Sequence, residues 1–556
     1  MVMKRGPSLG LLGLLGLLGL LGAWIFACSA PGDTSRRDRM REPPSALSPP
    51  GDTSLGYRMR EPPSTLDPVR AGDNNSLMYV YLLFDGLVEF APGSLEVRPA
   101  LAKSWDVSAD GRVYTFHLRD GIMFHNGRPI TASDVVYSIR RGLSQAAHSE
   151  KHDFLAPLLG SGPFWDGATL ELPGVAAPDP RTVVLTLSEP YPPFLSVLAS
   201  EAGSIVPHEV YSDPDQGFLR HPVGSGPYTL QAWEPDISIT LARFKQHWKP
   251  APAAGIDTIS VRFIRDASTA LEEYRAGNID FTYELPPGQR RRIQEELPEA
   301  FHHGQQMWLF YVGFNHASGP FRSNPTLRRA VARAVDSDYI VRQLQEGKDR
   351  IATGVIPPGM MGFGETAAPF PYDLDEARRL MAQAGYPGGK GFPEIVYLSN
   401  ETQGFRRIAE RLRTDLARIG ITMRVKMMDF GAFLQELNSH DPSGPDASLF
   451  RMTWYPDWPD PDNFLGVQFR TGGAGNFGRY SNPAFDALME KARHEIDADA
   501  RRDLYRRADA MLIDDVALVP VYWYGQDILL RPTFTGLKIS PLGAFATAWE
   551  EMETAR

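Results

Sequence analysis

The sequence predicts a layered α/β protein built from at least two domains. Three observations carry this. At 556 residues the chain exceeds what one hydrophobic core usually organises. Apolar residues make up 43% and aromatics 11%, enough for more than one core. In its second half, segments of helical and strand periodicity alternate, the pattern of helices layered on a sheet.

The N-terminus comes first. Lys4 and Arg5 precede an apolar run of Gly-Leu-Leu repeats from Leu9 to Ala27, the charged and apolar regions of an export signal over residues 1–27. The run ends in Ile25-Phe26-Ala27-Cys28, which resembles a bacterial lipobox. Cys28 is the one cysteine in the chain, so no internal disulfide can form, and lipidation of its thiol gives it a role. The alternative is an uncleaved anchor helix. Either way the basic end stays inside and the rest of the chain lies outside the cytoplasm. Residues 28–60 are expected to form a lipidated, flexible tether, rich in Pro, Ser, Gly and Arg. They hold a duplication: Pro31-Gly32-Asp33-Thr34-Ser35 recurs at 50–54, and Arg39-Met40-Arg41-Glu42-Pro43-Pro44-Ser45 recurs at 58–64.

Globular composition follows. Asp110-Gly111 is a hairpin turn between strands Trp105 to Ser108 and Arg112 to Leu118. Thr131-Ala132-Ser133-Asp134 opens a helix, Thr182 to Leu187 reads as a strand, and Gly224-Ser225-Gly226-Pro227 turns into a strand at Tyr228. Farther on, Phe405, Ile408, Ala409, Leu412, Leu416 and Ile419 share one helical face, and Gly420 stands at a C-cap. Strands at Thr422 to Met428 and Leu518 to Trp523 flank helices from Gly431, Pro483 and residue 499.

Charge and motifs narrow the function. A net charge of -10 without a compact basic stripe argues against a nucleic-acid partner. No His-Glu-x-x-His occurs, and Gly388-Gly389-Lys390 lacks the rest of a phosphate loop. Ser225 is no nucleophile elbow, since Val223 precedes the Gly-Ser-Gly and Pro227 follows it. His302-His303 is a bare pair, and His125 sits in a turn. No enzyme activity, cofactor or metal is expected.

An ordered series of motifs spans the chain from about 61 to 552. It runs through Ser64-Thr65-Leu66-Asp67-Pro68, Phe84-Asp85-Gly86-Leu87-Val88, Leu101-Ala102-Lys103-Ser104-Trp105 and Phe124-His125-Asn126-Gly127. It continues with Gly224 to Tyr228, Ile356-Pro357-Pro358-Gly359 and Trp454-Tyr455-Pro456-Asp457. In these motifs the chain resembles the peptide- and nickel-binding class of bacterial extracellular solute-binding proteins, family 5. The resemblance implies a bilobed periplasmic-binding-protein-like α/β fold of type II, whose lobes close on a solute. Lobe I is expected at 61–268 with a return at 523–556, and lobe II at 269–522. The crossings are expected near Asp266 to Thr269 and Tyr522 to Asp527. Implied partners are a peptide ligand, ABC permease subunits and, through the lipid, a membrane; the protein is expected to be a monomer.

The resemblance also implies a site. An aspartate at the position of Asp457 receives a ligand's α-ammonium, with Trp454, Tyr455 and Trp458 walling off solvent. Removing an ammonium from water demands a compensating anion and full hydrogen bonding. The other reading of these residues is a loop aspartate capping a Pro-rich turn, with the aromatics as core. Asp460 and Asp462 extend the series to Asp-x-x-Asp-x-Asp, which reads as turn formation and capping rather than a calcium loop. Relatives specialised for dipeptides carry an arginine after the strand Glu394 to Leu398. Here Ser399-Asn400-Glu401-Thr402-Gln403 holds no basic residue, which favours longer peptides. Competing readings are another solute in the same fold (a nickel chelate, an opine, an oligosaccharide), a solute sensor, and an extracytoplasmic hydrolase.

Overall fold

The computed structural model describes residues 53–212, 217–364, 368–439 and 448–555. The signal segment, Cys28 and the tether as far as residue 52 lie outside the described residues. Among the described residues no helix is long and apolar enough to cross a membrane.

An eleven-stranded mixed sheet organises the described chain. Its order is Met423–Met428, Ile395–Asn400, Leu449–Trp454, Phe301–Phe314, Leu518–Leu530, Phe281–Thr282, Ser54–Met59, Thr258–Phe263, Ser238–Arg243 and Tyr228–Glu234. Arg350–Ile351 pairs with Leu518–Leu530 off this path. A separate four-stranded sheet runs Ala102–Val107, Val113–Leu118, Thr182–Thr186 and Val175–Asp179. The Asp110-Gly111 hairpin is its first pair, with Gly111 at φ +69°. The helix Ala132–Gly142 packs on this sheet, and the Asp134 carboxylate accepts the Thr131 N–H at 2.9 Å to close its first turn.

Two strands link the cores. Phe301–Phe314 and Leu518–Leu530 are paired antiparallel, with register shifts between Gln305 and Leu309 and between Phe310 and Tyr311. Their Phe310 and Tyr522 belong to one core, together with Ile408, Leu412 and Leu416 of the helix Gln403–Ala417. Met307, Leu309 and Trp523 belong to the core on the opposite face, with Phe485 and Tyr505. Ile528 and Leu530 lie in a third core with Leu55, Tyr57 and Tyr79.

Two expectations are corrected here. The tether does not reach residue 60: Ser54–Met59 is an interior strand, paired in parallel with Thr258–Phe263 and touching Phe281. Leu55 and Tyr57 are fully buried. Arg58 is buried too, donating to Glu284 at 2.6 Å and to the carbonyl of Ile264 at 2.8 Å. The polar flanks hid a strand that is stabilised by its neighbours rather than by its own composition. The boundary at 268/269 is also displaced. Asp266 caps the helix Ala267–Ala276, whose Leu271 and Tyr274 pack with Ile293 and Leu529. Ile279 and Ala300 join the same cluster, so residues on both sides of 268/269 pack with the strand Leu518–Leu530 through Leu529.

The Gly224-Ser225-Gly226 turn has a packing reason. A Cβ at either glycine would collide with the carbonyls of Leu83 or Leu82, at the end of the helix Asn74–Leu83. His125 completes the corner. Its Nδ1 accepts the Gly224 N–H at 3.2 Å while Nε2 donates to the Gly226 carbonyl at 3.0 Å. Burial pushes its pKa down to about 4, which keeps the ring neutral. His303 is exposed, and its Nδ1 meets Asp527 Oδ1 at 2.8 Å.

Candidate functional site

The strand Leu449–Trp454 delivers the loop that carries Asp457, and the helix Pro461–Phe469 follows at once. Its N-terminus is firmly held. Asp460 accepts the Asp462 N–H at 2.9 Å as the cap, and Arg501 grips both oxygens of Asp460 at 2.8 Å each. Asp460 therefore acts as a cap and ion-pair partner. Asp462 is buried beside it, and burial followed by the Asp460 charge pushes its pKa up to about 6.

Asn463, fully buried in the first turn of that helix, positions Asp457. Its amide Nδ2 donates to Asp457 Oδ2 at 3.0 Å. Its Oδ1 accepts from Trp454 Nε1 at 2.9 Å and from the Asp457 N–H at 3.4 Å. Asp457 opens into a cavity of about 200 Å³, walled by Leu77, Tyr81, Phe90, Phe154, Leu542 and Phe545. Asp457 is exposed to the cavity, and the protein packed around its carboxylate partly desolvates it. That desolvation raises its pKa; the Asn463 bond and Lys151 oppose the rise, while Glu201 adds to it. Lys151 itself is consumed, since its ammonium donates to Glu201 at 2.9 Å and to the Ala71 carbonyl at 2.5 Å. Among the described residues, Asp457 has no cationic partner at ion-pair distance.

The four predicted aromatic and acidic residues divide. Tyr455, 42% exposed, lines the cavity with Asp457, and its ring lies 5.5 Å from that of Trp308. Trp454 and Trp458, expected as walls, are not among the residues that line it. Trp454 spends its N–H on Asn463. Trp458 is buried in the core under the small sheet, edge-on to Phe154 at 5.4 Å. Sequence reasoning missed Asn463, Phe545 and the Lys151–Glu201 pair. Asn463 had a readable signal, a polar residue in the first turn of a Pro-led helix. The others come together only in the fold.

A second cavity of about 640 Å³ adjoins the first, sharing Asn74 and Phe545 with it. Tyr283, Trp308 and Tyr524 form its aromatic wall. Behind Tyr524, Arg451 is buried with its guanidinium 4.4 Å from the Phe405 ring and 5.0 Å from Phe433. Among the described residues no carboxylate pairs with it.

Comparisons with known proteins agree with this architecture. The family model "Bacterial extracellular solute-binding proteins, family 5 Middle" matches residues 96–476. A dipeptide-binding protein of Pseudomonas aeruginosa is 28% identical over 479 residues, covering 83% of this chain and 87% of that protein. Heme-binding protein A of Haemophilus influenzae is 27% identical over 481 residues, covering 83% and 85%. The structure of DppA from Helicobacter pylori, in complex with the peptide STSA, matches with a TM-score of 0.74 at 26% identity. It covers 90% of this chain and 98% of that one. The family and these relatives are binding proteins. With its bilobed type II periplasmic-binding fold, the chain belongs to the bacterial extracellular solute-binding proteins of family 5.

Proposed function

We propose that this chain is the lipid-anchored, extracytoplasmic receptor of an ABC importer, that it captures peptides between two closing lobes, and that it catalyses no reaction. One observation carries the reading. Asp457 presents a carboxylate to an aromatic-walled cavity, held only by the neutral amide of Asn463. A carboxylate so placed is short of one cation and several donors, and a peptide's α-ammonium supplies both. Where the lobes close on a bound peptide, water is excluded and the attraction becomes stronger than at an open surface. The peptide-named relatives support the same ligand class, and the non-basic Ser399–Gln403 segment favours oligopeptides over a fixed dipeptide clamp.

Closure is read from the two long strands whose paired registers slip between Gln305 and Leu309, next to the cavities. Anchoring is read from Cys28, and fractionation tests it: Cys28→Ala protein that stays as membrane-bound as wild type contradicts the lipid. The ligand is tested by mass spectrometry of molecules released when the purified protein is denatured. Peptides with free N-termini are expected. A recovered nickel chelate, opine or oligosaccharide contradicts the peptide reading and moves the chain to another solute.

A further inference from the structure

We propose that Arg60 receives the ligand's carboxylate, so that the receptor reads a peptide as a zwitterion with one terminus in each cavity. The proposal rests on the peptide reading above and adds the residue that orients the ligand.

The charges of the larger cavity decide it. Four charged groups matter there: Arg60, Glu284, Lys348 and Asp527. Glu284 is taken by the buried Arg58 at 2.6 Å. Asp527 is taken by Arg290, through bonds of 2.7 and 3.1 Å, and by His303. Lys348 is taken by Asp349 at 2.6 Å and by the Gly525 carbonyl at 2.9 Å. Arg60 alone among them lacks such a partner: its side chain is 59% exposed, and its carboxylate contact is Glu61 at 4.0 Å. Among the described residues the balance therefore leaves one unpaired cation in the larger cavity, Arg60, against two unpaired anions in the smaller, Asp457 and Glu150.

The two cavities are neighbours, bridged by Asn74, Phe545 and the Trp308–Tyr455 ring contact. A molecule lying across that bridge meets negative charge at one end and positive at the other. A peptide with free termini has the matching polarity in one orientation only. The guanidinium suits the task, since its planar fork can grip a carboxylate by two parallel bonds. The backbone that presents it is fixed, because Arg60 follows directly on the buried strand Ser54–Met59. Arg451 is the competing cation, but it is 3% exposed and lines neither cavity.

Calorimetry with tri-, tetra- and penta-alanine, each as free acid and as C-terminal amide, tests the assignment. Wild type should lose about 10- to 100-fold in affinity on amidation, the range of a charge-assisted bond. Arg60→Ala should show the same loss for the acids and little further loss for the amides; Arg60→Lys should recover part of it. Melting curves of both variants should match wild type, as befits an exposed side chain. An Arg60→Ala protein that still prefers acid over amide overturns the proposal, the more so if Arg451→Met removes that preference. Should the acids bind Arg60→Ala normally but still require a free N-terminus, only Arg60 is refuted. If wild type binds no alanine peptide, both this proposal and the peptide reading fall.

Discussion

Deleting residues 32–52 and deleting residues 32–60 should have opposite consequences, although the two deletions differ by only eight residues. The shorter removes polar, Pro- and Ser-rich sequence whose composition cannot build a core. The longer also removes Ser54–Met59, which sits in the large sheet between Thr258–Phe263 and Phe281–Thr282. Tyr57 stacks on Phe281 at 4.7 Å and meets Trp549 edge-on at 5.4 Å, and Leu55 is buried beside them. Truncating a buried leucine costs about 2–5 kcal/mol and a large aromatic about 3–5 kcal/mol. Those two side chains together approach the whole stability of a typical domain, about 5–15 kcal/mol. Losing the strand's backbone pairing and stranding Glu284 without Arg58 add to the deficit. Circular dichroism melts of both purified proteins decide the matter. The 32–52 deletion should keep the wild-type midpoint, and the 32–60 deletion should lose its cooperative transition. Equal midpoints for the two would refute the placement of this strand in the core.

Two further perturbations test the site's surroundings. Trp458→Ala should lower stability by about 3–5 kcal/mol through the cavity it leaves beside Phe154; a protein of unchanged stability with weakened ligand binding would instead return Trp458 to the ligand's wall. Asp462 has a folded pKa of about 6, above the ordinary aspartate range, so its charged form disfavours folding above pH 6 and the penalty fades as pH falls towards 4. Asp462→Asn should therefore be more stable than wild type at pH 7.5 by up to about 3 kcal/mol, with the gain shrinking by pH 4.5 in denaturant titrations; a gain that does not depend on pH would contradict the raised pKa.

Elements with a local signal were legible. The Asp110-Gly111 hairpin, the helix face from Phe405 to Leu416 and the helix led by Pro483 each carry turn chemistry or periodicity within their own residues. Ser54–Met59 and the second half of Leu518–Leu530 do not. The strand expected at Leu518 to Trp523 runs on through Gly525-Gln526-Asp527 because Phe301–Phe314 lies alongside to pair with it. The same division runs through the site. Asp457 stands in a motif, whereas Phe545 and the Lys151–Glu201 pair are distant in sequence and come beside it only in the fold, and Arg60 lines the neighbouring cavity. An aromatic next to a site looks the same in sequence whether it faces the ligand or the core, so the motif did not show that Trp454 and Trp458 stand off the cavity.

The central claim is that Asp457 receives a peptide's α-ammonium, and a two-by-two calorimetric set measures it directly. Wild type and Asp457→Ala are each titrated with peptides bearing free and acetylated N-termini. Truncating one partner of a desolvated charge pair costs about 2–5 kcal/mol, or roughly 30-fold to several thousand-fold in affinity. Free peptides should lose that much on the variant, and acetylated peptides should already bind wild type weakly. Acetylated peptides should lose little more on the variant, because both changes delete one interaction. Equal affinity of wild type for free and acetylated peptides would contradict the account and remove Asp457 from the role.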